Sequence, residues 1–275
     1  MLIKKSTHTG FNDIDSQIGG GLLAETIYLI GSRPSMGKTA FALNIVSNVL
    51  SSDQFTGCIV FISTKDNKEV HLQKLTAILT SIPLIDIQKD NLSDIQINQI
   101  KQNPFVSKLS QNCLDIIQLT CPEIEEIPDL LNQLSNNGTD CQLLVVDHLQ
   151  DFINVDDPND VADKYLHSMN SFKKLAVDAH LPVLICSDVN VAVEEREGSN
   201  MPLLRDLKGS LEIAKLADVV MFLLRPEYYD ISENVEFPTA IINIAKNKFG
   251  PVSNVMLQTN LCCQQFMNEE KFYEI

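Results

Sequence analysis

Short runs of consecutive apolar, β-branched residues punctuate this chain. Between them lie longer stretches in which apolar positions recur every three or four residues. The runs TIYLIG (26–31), GCIVFIS (57–63), QLLVVD (142–147) and LPVLICSD (181–188) lack polar alternation, as strands buried on both faces do. LDIIQL (114–119) predicts a further short strand, and ADVVMFLL (217–224), AIINIAKN (240–247) and SNVMLQTN (253–260) predict three more. Helical periodicity fills 38–50, 67–79 and 160–180. Strand and helix alternate through most of the chain. That order predicts an α/β fold with a mostly parallel central sheet and helices on both faces. The last strands are joined by short connections, which predicts an antiparallel C-terminal edge. No repeat, low-complexity block or linker interrupts the 275 residues, so a single domain over 1–275 is expected.

Two polar stretches stand apart. Residues 88–112 are Asn-rich and read as a helical excursion on the surface. In 122–137, PEIEEIPDLLNQLSNN, the residues Ile124, Ile127, Leu131 and Leu134 fit one helical face, with Pro122 or Pro128 opening the helix. That segment has four acids and no base. The whole chain carries 21 Lys and Arg against 36 Asp and Glu, a formal charge of -15. Such a balance argues against a broad nucleic-acid-binding face, but one local loop could still hold DNA. No apolar run is long enough for a membrane span, and no membrane partner is expected. Seven cysteines without a C-x-x-C pair fit a reducing, cytoplasmic setting.

The chemistry concentrates in GSRPSMGKTAFALNIV (31–46), set between a predicted strand and a predicted helix. Exposed backbone N–H groups and a helix N-terminus in that context surround an anion. Ser32, Arg33, Pro34, Ser35, Met36 and Gly37 would form the loop, Lys38 would reach the outer phosphates, and Thr39 would place its hydroxyl on Mg²⁺. The pattern G-x-x-x-x-G-K-[ST] asks for Gly at position 32, where Ser32 stands. Asp147 ends a buried strand, where an acid either supports a metal-bound phosphate through water or caps the next turn.

RPSMGKTAFALNI resembles the nucleotide loop of the DnaB-type replicative helicases, in which that first Gly is often missing. Further resemblances fall in the same order along the chain. TGFNDIDSQIGGGL (9–22) resembles the opening of the RecA-like motor domain, and LLVVDHLQ (143–150) its second nucleotide motif, with His148 in the usual Tyr place. PVLICSDVN (182–190) resembles the sensor strand, DLKGSLEIAKLADVVMFLLRPEYY (206–229) the DNA-facing loop and the strand after it, and AKNKFGP (245–251) the turn that reaches a neighbouring subunit's nucleotide. Recombinases of the RecA type and clock-type ATPases share the opening and the Asp motif but not RPSMGKT with NKFGP. The resemblance implies a RecA-like ATP-binding domain using ATP and Mg²⁺, with single-stranded DNA and a hexameric ring, or a full-length replicative helicase, as partners. It also implies that the chain starts at the motor domain, without the family's N-terminal collar domain and linker helix.

At several positions the chain departs from that pattern. The family ends its second strand in Ser-Leu-Glu, whose Glu polarises the attacking water; here FISTKD places Lys65 there, followed by Asp66. A Lys beside phosphates stays protonated and cannot take a proton from water. Glu69 is expected in the following helix. Asp188 stands in place of the sensor Gln, either directed at the phosphates or facing solvent. Lys246 and Lys248 stand where the trans-acting Lys and Arg would be, and Lys lacks the planar fork of Arg. Between 190 and 209, Arg196, Arg205 and Lys208 face Glu194, Glu195, Glu197 and Asp206. Arg205, Lys208 and Gly209, with Ser210, could supply one DNA contact. The expectation is nucleotide binding with slow or no hydrolysis, in a helicase-family protein or a non-motor relative that acts on one.

Overall fold

The structure, a computed structural model, describes residues 5–109, 113–120, 122–136, 140–153, 161–196, 200–209, 211–229 and 238–269. Each uninterrupted apolar run of the sequence forms a strand. β1 (Ser6–Thr7) and β2 (Leu22–Leu23) make a small antiparallel pair. The other strands are β3 (Ile27–Ser32), β4 (Cys58–Ser63), β5 (Leu114–Gln118), β6 (Cys141–Asp147), β7 (Val183–Asp188), β8 (Val219–Leu224), β9 (Thr239–Asn247), β10 (Ser253–Asn260) and β11 (Gln265–Asn268). They form one sheet in the order β11-β10-β9-β8-β3-β7-β6-β4-β5. From β8 to β5 every pairing is parallel. From β8 to β11 every pairing is antiparallel, as the short connections require.

Helices cover both faces. They are α1 (Asn12–Gln17), α2 (Lys38–Ser51), α3 (Lys68–Thr80), α4 (Leu84–Gln88), α5 (Asp94–Gln102), α6 (Pro104–Lys108), α7 (Ile127–Asn136), α8 (Val161–Asp178) and α9 (Leu211–Leu216). Successive strand residues point to opposite faces. Tyr28, Ile30 and Phe61 therefore join Phe41 of α2 and Leu75 of α3 in one core. Ile27, Leu29 and Val60 join Leu131 of α7, Phe172 of α8 and Ile213 of α9 in the other. Each such large side chain, buried, contributes roughly 1.5–3 kcal/mol.

The polar excursion is helical, with a capping box at Ser93–Gln96 opening α5 and Asn103 capping α6. The Gln99 and Asn103 amides reach the Thr80 and Leu79 carbonyls (2.6 and 3.0 Å) at the end of α3, which ties the excursion to the domain. In the acidic segment Pro128 lies in the first turn of α7, preceded by a 3₁₀ turn at Ile124–Glu126. Ile124, Ile127 and Leu131 are buried; the Leu134 side chain lies outside the described residues, as do Glu197 and Ser210.

Two cross-links bind distant parts of the chain. The Asn268 side chain accepts from the Asn12 N–H and donates to the Gly10 carbonyl (both 3.0 Å). Beside it, Asn44 of α2 donates to the Gln264 carbonyl (2.7 Å) and accepts from the Phe266 N–H (3.0 Å). The second link is Asp218, buried just before β8. Its carboxylate accepts from the Ile27 N–H (3.0 Å) and from Lys173 of α8, and pairs with Lys248 (2.9 Å). Burial works to raise this carboxyl, but the two lysines and the Ile27 N–H bring its pKa below the ordinary 3.8.

Because the folded pKa is depressed, the stabilisation from ionised Asp218 is complete above the unfolded value and fades as pH falls through the folded one. Asp218→Asn is expected to cost about 1–3 kcal/mol at neutral pH. As pH falls through and below the usual carboxylate range, the urea midpoints of wild type and variant should converge. Parallel curves across that range would remove Asp218 as a source of the acid sensitivity.

Candidate functional site

Parallel register brings four strand ends together. Ser32 of β3 lies opposite Asp188 of β7, and Asp147 of β6 lies opposite Ser63 of β4. The chain leaves β3 through Arg33–Gly37 and enters α2 at Lys38. Gly37 caps the helix at φ +97°, a left-handed conformation that glycine takes without strain. Pro34, Ser35, Gly37, Lys38 and Thr39 line a cavity of about 300 Å³, closed on its other sides by Lys65, Asp66, Lys74, Asp147, His148 and Asp188. The remaining loop side chains turn away. Ser32 and Met36 are buried, and Arg33 forms an ion pair with Glu194.

The Thr39 hydroxyl donates to Asp147 Oδ2 (2.6 Å), so the hydroxyl and carboxylate expected around Mg²⁺ already face one another. Lys38 Nζ folds over the loop onto the Ser32 carbonyl (3.1 Å) and pairs with Asp188 Oδ1 (2.9 Å). His148 Nε2 lies 3.4 Å from Asp188 Oδ2, and its Nδ1 lies 3.1 Å from Asp151. Burial alone would raise the Asp188 carboxyl; the His148 hydrogen bond and the Lys38 charge outweigh it and hold the group well below the usual carboxylate range. The Asp188 main chain is fixed too, its N–H on Gln150 Oε1 and its carbonyl accepting from the Lys208 N–H (both 3.0 Å). Asp188 therefore points into the cavity rather than to solvent.

Lys65 and Asp66 follow β4 into the same cavity. Asp66 pairs with Lys74 of α3 (2.5 Å). Burial pushes the Asp66 carboxyl up, but Lys74 outweighs it, with smaller help from His71 and Lys65, and the pKa falls below normal. Among the described residues no carboxylate lies within ion-pair distance of Lys65. The turn is held from below: the Ser63 hydroxyl donates to the Asp66 carbonyl (2.7 Å) and meets Nε2 of fully buried His71 (2.8 Å). Burial lowers the His71 pKa, with Lys74 adding to the effect, so the ring acts as a neutral partner. Glu69 sits in the first turn of α3 and does not line the cavity.

The other expected residues lie outside the cavity lining. Lys246 donates to the Ala214, Lys215 and Ala217 carbonyls (2.6–2.8 Å), closing the C-terminal end of α9, while exposed Lys248 holds Asp218. Arg205 and Lys208 are exposed on the segment after Asp188. Gly209 has φ +116°, and a methyl group there would sit 2.4 Å from the Tyr165 ring. Arg196 is consumed by a two-pronged pairing with Asp206 (2.6 and 2.7 Å).

Sequence reasoning missed Thr64, His71, Lys74, Gln150 and Asp151. The Thr64 hydroxyl donates to the Asp151 carboxylate and accepts from the His148 N–H (3.2 Å), joining the ends of β4 and β6. Its only signal was its place directly after an apolar strand. Thr64→Val keeps the shape and orphans both groups. Chemical denaturation is expected to show a loss of about 1–3 kcal/mol; an unchanged midpoint would mean that water replaces the hydroxyl.

The arrangement of amides, an ammonium over the loop and a hydroxyl–carboxylate pair fits a chain of phosphates with a divalent cation. Comparison with known proteins identifies the family and the fold. A family profile described as DnaB-like helicase C terminal domain matches residues 6–268. The chain is 28% identical over 288 residues to the replicative DNA helicase DnaB of Rickettsia typhi, covering 96% of this chain and 57% of that protein. It is also 28% identical over 263 residues to the DnaB of Haemophilus influenzae, covering 94% and 54%. It thus spans little more than half the length of these curated relatives. Among solved structures, one described as an ATPase domain superimposes with a TM-score of 0.85 at 24% identity, over 97% of this chain and 92% of that one. A DnaB-like replicative helicase, solved in a study of its interactions with primase, gives 0.86 at 24% identity over 98% and 63%. These two likenesses speak to the fold, which is that of a RecA-like ATPase domain; the profile match over nearly the whole chain shows that it belongs to the DnaB-like helicase C-terminal domain family.

Proposed function

We propose that this domain binds ATP with Mg²⁺ in the cavity between β3 and α2, and hydrolyses it slowly, in the service of DNA replication. The observation that carries the reading is the β4–α3 turn: Lys65 lines the phosphate cavity where the family's glutamate would stand, and the neighbouring carboxylate, Asp66, is committed to Lys74. The loop amides and the α2 N-terminus would hold the phosphates, with Lys38 on the outer ones. Thr39 would hold Mg²⁺ directly and Asp147 through water; the ion supplies neutralisation of phosphate oxygens. Lys65 adds a cation that binds phosphate but accepts no proton. Asp66, with its pKa held down, is ionised yet a weak base. Loss of a water-positioning group lowers turnover by orders of magnitude.

Arg205, Lys208 and the Gly209 backbone are proposed as a single contact to the DNA backbone, too little for tight binding on a chain of charge -15. In a ring, Lys248 would have to leave Asp218 to reach a neighbour's nucleotide, and Lys246 would have to leave three carbonyls. Those internal commitments support the second reading, a non-motor member that binds a full-length replicative helicase rather than driving strand separation itself. A cytoplasmic setting fits the cysteines, which are free among the described residues. No helix among those residues is long and apolar enough to cross a membrane.

A steady-state ATPase assay with and without single-stranded DNA tests the reading. The expected turnover is far below the order of 1–100 per second of active phosphoryl-transfer motors. Lys65→Glu is expected to raise kcat tenfold or more while weakening ATP binding, since it removes a cation that binds phosphate. Motor-level turnover by the unaltered chain would overturn the claim of slow hydrolysis.

A further inference from the structure

The acidic segment that opens α7 and the C-terminal half of α8 leave an open groove between them. Its volume is about 410 Å³, larger than the phosphate cavity, and the two share no lining residue. We infer that this groove docks an amphipathic helix of a partner protein, one whose apolar face is flanked by lysines and arginines. The inference does not depend on the nucleotide reading.

Shape and composition favour a helix. Ile124, Leu131 and Leu175 line the groove from its buried side, while Pro128 and Ala179 line it as exposed residues. The three buried residues belong to the same core cluster as Phe172 and Ile213, so the groove reaches the edge of a packed core whose side chains are already fixed. The lining runs along α8 from 171 to 179, about two helical turns or roughly 12 Å. An incoming helix can therefore lay side chains spaced i, i+3, i+4 and i+7 along it.

Charge selects the kind of helix. Glu125 and Asp178 stand in the lining, and Glu123, Glu126 and Asp129 are exposed along the same wall. The cations beside them are already engaged: Lys174 pairs with Asp178 (2.5 Å) and His167 lies 3.2 Å from Glu125. Exposed pairs of this kind are weak, so the carboxylates can turn to a partner's lysines and arginines at little cost. The chain's charge of -15 attracts a basic partner from a distance and repels nucleic acid or an acidic helix.

Fluorescence anisotropy of the full chain with a labelled synthetic helix of leucines and lysines decides the matter. The leucines are set on one face, and a peptide of the same composition in scrambled order is the control for charge alone. The ordered peptide is expected to bind about tenfold or more tightly than the scrambled one, and more weakly as salt rises. Ala179→Arg, which blocks the groove from an exposed position, and Glu125→Lys should each weaken it by about fivefold or more. Asp53→Lys, an equal change of charge just past α2 on the other face of the sheet, should leave the affinity unchanged. Equal binding of the two peptides, or no binding, would overturn the inference. So would a loss with Asp53→Lys as large as with the groove variants. Self-association of the unaltered chain in sedimentation, abolished by Ala179→Arg, would place a second copy in the groove and overturn the basic partner.

Discussion

Parallel pairing of β3, β7, β6 and β4 is the constraint on which the rest of this molecule depends. A parallel sheet must have both faces covered, and its strands all deliver their chains to the same edge. The register then sets Ser32 beside Asp188 and Asp147 beside Ser63. Residues more than a hundred positions apart meet there without any long-range motif: Thr39 finds Asp147, and Lys38 finds Asp188. The apolar runs that bury the strands are thus also what positions the polar groups at their ends.

What those ends hold is a site balanced largely against itself. Lys38 answers Asp188, Lys74 answers Asp66, and outside the cavity Lys248 answers Asp218. A phosphate-binding site normally keeps its cations in reserve for the ligand. Here the chain supplies internal anions at several of the places where a phosphate would otherwise be drawn. The depressed pKa values of Asp66, Asp188 and Asp218 are the electrostatic trace of that pairing.

The sheet and the loop were legible in the sequence because both rest on local signals: continuous apolar runs, helical periodicity, and Gly-Lys-Thr between a strand and a helix. The replacement by Lys65 was also readable, since it follows a strand of unmistakable pattern. Other features were not. β1, β2 and β11 are too short to show a period. The direction of Asp188 depended on pairing with β3, and either solvent or the cavity was compatible with its place in the chain. Asp66 could not be assigned without knowing that Lys74, two turns into the next helix, folds back on it. Lys246 read as part of a turn reaching a neighbour's nucleotide, whereas its ammonium closes a helix from a different segment. In each case the missing information was a partner distant in sequence.

The Asn268 amide joins two points of the backbone 256 and 258 residues away, and Asn44 stitches the same strand onto the helix that carries the phosphate loop. These bonds can persist only while everything enclosed between them keeps its place, since closing so large a loop is entropically unfavourable by itself. A tensile load applied across the domain would meet this small amide latch early. Its rupture would bear directly on α2, transmitting mechanical strain from the margin of the sheet to the lysine at the phosphate loop.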